Sequence, residues 1–401
     1  LALAAGPGPA LVFGGRERAS VLDAALINGV SSHVLDFDDC NNTIGGHPSV
    51  PILPGLIALA ERERASGRDL LVAYVAGFET ETRIARAVHF HHYEKGWHPT
   101  ATLGVFGAAA AAARLLALDA ERTATALAIA ASLAAGIKAN FGTMVKSLHV
   151  GQCARNGLYA ALLASHGYTA NAGVFEHPQG FFEVFNGAGH YDAAKALADW
   201  GEPFDIVSPG IAIKQYPCCG STHPALDAML AIVRRHPLAG VDIARIEAWI
   251  HPRRLAHTDR PHPASALDCK FSLQYCLVRA LLDRQVVLEQ FDGEGWRDAR
   301  VGPLLERVTV APYDGSRFDP ANHFGGEVRV TLHDGRVLQQ KVEQPLGRTS
   351  ANPLPEALLH AKFAACAQRV LPAPRTEQVV GSIAQFEALA DVRAFTTLLE
   401  P

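Results

Sequence analysis

A mainly helical protein with an inserted α+β part is what this sequence predicts, and three observations carry that prediction. The first two hundred residues repeat alanine-dense segments of helical length. Near Ile211–Gly220 the pattern breaks, and an alternating segment and an Asp-Gly hairpin signal follow. After Pro345 the helical pattern returns. With 401 residues the chain suits two domains. The expected division is a discontinuous helical domain, residues 1–211 with 347–401, and an α+β lid domain, residues 212–346, inserted before the C-terminal helices. A cleft is expected between them.

The elements follow in order. Ser20 with Asp23 resembles a capping box opening a helix that runs to about Asp36. Ile52–Ala65, Leu70–Val88, Thr100–Leu118 and Ala120–Gly136 continue the series, then Leu148–His166 and a shorter Tyr191–Trp200. Several are apolar nearly all round, which places them inside a bundle. A helix from His223 to Arg235 precedes Ile243–Ile250, which alternates as a strand should. Asp268–Asp283 is helical again, and Val308–Ala311 reads as a strand. Glu327–Leu332 and Arg336–Val342 flank Asp334-Gly335 as a hairpin. Leu354–Leu371 and the tail are helical.

Composition narrows the function classes. Hydrophobic residues make up 49% and charged residues 19%, so a large core is available and global disorder is not indicated. A formal charge of −4 without long like-charge blocks speaks against nucleic acid as a partner. The greasiest stretches, Gly104–Ala113 and Ala124–Ile137, fall short of the roughly 20 residues a membrane span needs. No signal peptide is visible, although the chain opens at Leu1 rather than Met, which leaves a missing N-terminal piece open. Seven cysteines without a CxxC pair fit a reduced, cytoplasmic setting and give no iron–sulfur pattern.

Five clusters hold chemistry-bearing side chains. In the first, Asp36 and Asp39 share a face if the helix persists that far, and His47 stands before Pro48 in an extended or turn conformation. Such a histidine can exchange protons near neutral pH, or simply be a surface turn residue. In the second, His89, His91, His92 and His98 crowd ten residues, but match no zinc-ligand spacing. For His89–His92 a solvated loop is the preferred reading. His98 precedes a long helix whose N-terminus suits a carboxylate. In the third, Lys146 and His149 sit three apart at a helix start, suiting a dianionic ligand; a surface lysine is the alternative. In the fourth, Lys214 and the Cys218-Cys219 pair lie where the two domains should meet, a favoured ligand position. In the fifth, Tyr275 can donate a proton or hydrogen-bond an oxyanion, or be a core tyrosine with a satisfied hydroxyl.

The order and wording of these clusters resemble the MmgE/PrpD family, which includes 2-methylcitrate dehydratase, cis-aconitate decarboxylase and iminodisuccinate epimerase. The resemblance runs through "NGVSSHVLDFDD", "GGHPSVPILPGLIALAE", "GWHPTATLGVFGAAAAAARLL", "KSLHVGQCARNGLYAALL", "IKQYPCCGSTHPALDA" and "KFSLQYCLVRALLD". It implies a large helical domain with a smaller α+β lid, usually as a homodimer, and no metal or organic cofactor. It also implies a site at Asp36, His47, His98, Lys146, Lys214 and Tyr275. Three departures stand out. Cys40 follows the DFDD run where decarboxylase-like members have threonine, the gap from Asp36 to His47 varies among members, and the family's N-terminal helical segment is partly absent here. The "GWHPT" and "NFGTM" wording is closest to the epimerase, whereas Tyr275 and "FSLQY" are closer to the dehydratases and decarboxylases.

These reactions all move a proton at a carbon beside a carboxylate, and ammonium groups can stabilise the developing charge. On this chemistry His47 is the expected proton-transfer group and Lys146 and Lys214 the expected carboxylate binders, with His149 and Cys40 beside the substrate. Asp36 orients and tunes them, and Tyr275 or His98 handles the second proton. The leading expectation is a 2-methylcitrate dehydratase-like hydro-lyase acting on a small di- or tricarboxylate. The alternatives are epimerisation and decarboxylation. From other classes, a zinc hydrolase or a non-catalytic binding protein would also use such residues.

Overall fold

The computed structural model describes residues 6–401. Helix Val21–His33 starts where Ser20 accepts the Asp23 N–H at 3.2 Å. Helices Leu53–Glu63, Gly67–Val88, Gly104–Leu115, Ala120–Leu133 and Val145–Ser165 complete a bundle. Its centre is Gly104–Leu115, buried from Gly104 through Ala113. Alanine on that helix lets the neighbouring Gly67–Val88 and Val145–Ser165 helices come close on both sides.

The crossing of Val21–His33 with Val145–Ser165 is closest at Gly29 and Gly151. A Cβ on Gly29 would stand 2.7 Å from the Gly151 Cα, and one on Gly151 would stand 2.3 Å from the Leu26 carbonyl oxygen. Glycine is needed at both positions for the backbones to pass. This contact sets the loop after His33 beside the first turn of Val145–Ser165, so Asp36 meets Lys146.

Several expected boundaries move. The first helix stops at His33, and Asp36 takes a φ of 51° in the left-handed region that aspartate tolerates better than most residues. Asp36 and Asp39 therefore do not share a helical face. The expected Thr100–Leu118 helix breaks at Leu103 into Pro99–Thr102 and Gly104–Leu115. Tyr191–Trp200 shortens to Ala194–Leu197. A helix at Phe181–Asn186 went unforeseen, being a six-residue turn whose phenylalanines fill the core near Phe106. His89–His92 is no solvated loop: His92 is fully buried in helix His91–Lys95, hydrogen-bonded to Asn186 and Thr102.

The mixed part is a four-stranded sheet in the order Val308–Pro312, Ile243–Ile250, Gly326–Leu332, Val337–Val342. The first pair is parallel and the others antiparallel. The Asp334-Gly335 hairpin forms as predicted, with Gly335 at a φ of 88°. Ile246, Ala248, Ile250, Val328 and Val330 form one core with helices His223–Arg235 and Leu273–Asp283. The chain then returns to the bundle: Val392 is buried among Leu70, Tyr74 and Phe78, and its N–H reaches the Ala65 carbonyl at 2.9 Å. The protein is thus mainly α with an α+β part. Among the described residues, no helix is long and apolar enough to cross a membrane.

Candidate active site

A cavity of about 390 Å³ opens between bundle and sheet. Asp36, Cys40, His47, His98, Lys146 and Lys214 all line it. Asp36 is its hub. Its carboxylate lies 2.6 Å from Lys146 Nζ, 3.0 Å from Lys214 Nζ and 3.8 Å from His47 Nε2. Lys214 also donates to the Asp36 backbone carbonyl at 2.8 Å. Burial works against the Asp36 charge, but Lys146, Lys214 and His47 outweigh it and hold the carboxyl well below its usual range. Lys214 is in turn raised, because Asp36 outweighs the cost of burying an ammonium.

His47 is held from behind. Its Nδ1 lies 3.0 Å from Asp38 Oδ2 and 2.7 Å from the Asp39 carbonyl, and its backbone N–H donates to Thr100 Oγ1 at 3.0 Å. Burial disfavours a cationic imidazole, yet Asp38 and Cys40 more than compensate and lift it to about 10. At neutral pH His47 therefore carries a proton on Nε2, on the Asp36 side of the ring. Asp38 is shared with His33, whose Nδ1 lies 2.7 Å from the same carboxylate oxygen. Burial drives His33 down to about 4, so His33 stays neutral and serves as a hydrogen-bond donor to Asp38. Asp39 turns away from the cavity to Ser49.

Cys40 Sγ lies 3.8 Å from His47 Nδ1. Burial would raise the thiol, but the charges of His47 and Lys214 bring it to about 7. His98 is kept neutral by burial and by the Lys146 charge. His149 does not line the cavity; it backs His98, with the two Nδ1 atoms 3.2 Å apart, one donating to the other. His98 caps only the four-residue helix Pro99–Thr102, so no long-helix N-terminus stands behind it.

Tyr275 is not at the site. It is fully buried in the sheet-side core, and its hydroxyl donates to the Gln290 carbonyl. The core reading of this residue is the one the structure supports. From the same stretch it is Lys270 that reaches the site loop, donating at 2.8 Å to the carbonyls of both Leu35 and Pro217. Cys219 of the fourth cluster also lines the cavity, as do residues not singled out from the sequence, among them Arg254, His257 and Arg348. His33 and Asp38 lay inside a quoted motif, but nothing in their spacing showed that they grip His47.

His33, Asp36, Asp38 and His47 bring one ligand atom each to within 4.8 Å of one another, close enough for a metal ion. The chemistry of the set disfavours one. Asp36 already faces two ammonium groups, and a dication at that oxygen would meet their repulsion. Asp38 Oδ2 likewise already faces two histidines.

Residues 1–194 match the MmgE/PrpD N-terminal domain, and residues 216–385 match the MmgE/PrpD C-terminal domain. The chain belongs to the MmgE/PrpD family. Within this family it is similar to cis-aconitate decarboxylase of Homo sapiens, at 33% identity over 94% of this chain and 79% of the human protein. It is similar to cis-aconitate decarboxylase of Aspergillus terreus (strain NIH 2624 / FGSC A1156), at 30% identity over 98% of this chain and 84% of the fungal protein. The Mus musculus enzyme of the same name is 30% identical over 94% of this chain and 78% of its own length. The chain is an MmgE/PrpD-family lyase.

Proposed function

We propose that this lyase decarboxylates a small unsaturated tricarboxylate of the cis-aconitate type. The observation that carries the proposal is the placement of His47, fixed by Asp38 on one side and turned toward the Asp36–Lys146–Lys214 cluster on the other, where Asp38 favours its cationic form. A decarboxylase needs a resting acid, because carbon dioxide leaves behind a carbanion that must be protonated. A dehydratase must first take a proton from carbon, a role that His47 in its cationic form cannot fill. The activity of the relatives also favours decarboxylation over the hydro-lyase reading first suggested by the motifs.

The step balances as follows. The bond between the departing carboxylate and its methylene breaks. Its electron pair becomes a new carbon–carbon double bond, and the old double-bond pair moves to the far carbon, beside a retained carboxylate. Lys146 and Lys214 stabilise the charge that spreads onto this carboxylate. His47 Nε2 delivers its proton to that carbon, leaving a neutral imidazole that is reprotonated from solvent. Carbon dioxide and a dicarboxylate with a terminal methylene are the products. The departing carboxylate loses charge, so tight pairing with a cation would oppose the reaction; Phe141 and Phe271 offer an apolar wall beside Lys146.

Incubating the enzyme with cis-aconitate in deuterium oxide tests this. The expected result is carbon dioxide release with one deuterium at the carbon beside the retained carboxylate. Alkene formation from 2-methylcitrate without carbon dioxide release would overturn the proposal in favour of a hydro-lyase. Deuterium wash-in at an α-carbon with no net chemistry would point to an epimerase.

A further inference from the structure

The cavity wall facing Asp36 carries two charges that the proton-transfer chemistry leaves unused. Arg254 lies on the short helix Pro252–Thr258, and its Nε donates to the His323 carbonyl at 2.5 Å. Arg348 follows Gly347, whose carbonyl accepts from the Ile213 N–H at 2.8 Å where the chain crosses between bundle and sheet. Both line the cavity. Phe324 lies beside both guanidiniums, its ring centre 4.9 Å from Arg254 Cζ and 4.7 Å from Arg348 Cζ.

Among the described residues, neither arginine is paired with a carboxylate. The groups that bear most on Arg348 are the Cys40 and Cys219 thiols, and on Arg254 they are Arg348, Cys219 and two tyrosines. Arg348 Nε is buried without a hydrogen-bond partner. Arg253, one residue away, does pair, lying 3.2 Å from Glu94. Burial, and for Arg254 also the like charge of Arg348, press both guanidiniums below their usual range. Both guanidiniums are half-buried; a cation drawn partly out of water with no carboxylate beside it is costly, and its planar fork matches a carboxylate.

The gap between this pair and the lysines is open. A Cβ placed on Gly220 would lie 3.8 Å from Lys214 Cε and 3.8 Å from Arg348 Nη1, in ordinary contact with both. Glycine there leaves ground that a ligand spanning the two positive poles would cover.

We infer that Arg254 and Arg348 form a carboxylate-binding subsite, which grips the end of a tricarboxylate far from His47 and selects three-carboxylate over two-carboxylate ligands. This deepens the proposed function and rests on it. The lysine pole holds the carboxylate that takes up negative charge, and the arginine pole holds one that does not react.

Calorimetric titration with two unreactive probes tests the subsite. Propane-1,2,3-tricarboxylate spans both poles, and malonate, whose two carboxylates share one carbon, is too short to span and satisfies the lysine pole. Arg254→Gln and Arg348→Gln should each weaken tricarboxylate binding about tenfold or more while moving malonate less than about twofold, as expected when one charge-assisted fork is lost. Arg348→Lys should recover part of the loss. Gly220→Val fills the gap without removing a charge and should weaken the tricarboxylate more than malonate, so the test survives if an arginine variant fails to fold. Equal losses for both probes, or no loss in folded variants, overturn the subsite alone. A wild type that binds neither probe overturns the tricarboxylate reading on which the subsite rests.

Discussion

The two walls of the cavity manage charge in opposite ways. On the bundle side, Asp36, Asp38, His47 and Lys146 are cross-paired at 2.6–3.8 Å before any ligand arrives. On the sheet side, Arg254 and Arg348 are cations without a carboxylate among the described residues. A group that must transfer a proton or stabilise a transition state has to be held in place in advance, and pairing does that. A group that must take up a substrate charge is most useful when nothing else satisfies it. Lys214 joins the walls: it reaches Asp36 from the segment where the chain crosses between the two parts. On the proposed function, chemistry belongs to the paired wall and recognition to the unpaired one.

Breaking the paired wall should cost most. His47→Gln removes the acid and should lower kcat about 10²–10⁴-fold in a steady-state assay, with the far-ultraviolet circular dichroism spectrum unchanged. A variant that keeps kcat would assign the proton donor elsewhere. Lys146→Met removes one of the two ammoniums stabilising the developing charge and should lower kcat about 10²–10³-fold. It also leaves Asp36 with one ammonium, so unfolding in urea should report a loss of about 3 kcal/mol, as for a broken buried pair.

Breaking the unpaired wall should look different. Arg254→Gln should raise KM about tenfold and change kcat less than about threefold, the pattern of lost binding rather than lost catalysis. A kcat loss equal to that of Lys146→Met would erase the distinction between the walls.

A pH series sharpens the comparison. His47 is raised from 6.5 to about 10 in the folded protein. Its stabilising contribution is then complete below its unfolded value and is lost as pH rises through the folded one. The melting-temperature gap between wild type and His47→Gln should therefore be wide near neutral pH and narrow as pH approaches 10. A gap that widens with pH would contradict the cationic His47. The smallest effect is expected at Tyr275→Phe, which removes a hydroxyl far from the cavity. It should cost about 1 kcal/mol of stability, the value of one buried hydrogen bond, and leave kcat unchanged.

Much of this was legible in the sequence, and the rest was not for identifiable reasons. Local signals read true: Ser20 with Asp23 starts a helix, Ile243–Ile250 alternates, and Asp334-Gly335 turns a hairpin. Each depends on residues a few positions apart, where propensity and periodicity act. Boundaries set by distant contacts were misplaced. The first helix ends at His33, where Asp36 turns left-handed and is drawn toward Lys146 and Lys214. His92 is buried because the Phe181–Asn186 turn covers it, which no local pattern foretells.

The sequence by itself determined the fold class, the family wording and the residue types at Asp36, His47, Lys146 and Lys214, because these reside in local pattern and composition. Only the tertiary structure decided what those residues do together. Asp36 and Lys146 are 110 positions apart, and Asp36 and Lys214 178, yet one carboxylate holds both ammoniums. Tyr275 left the site and Arg348 entered it for the same physical reason. Charge pairing, burial and the close passage of backbones at Gly29 and Gly151 act across space, and position along the chain does not encode them.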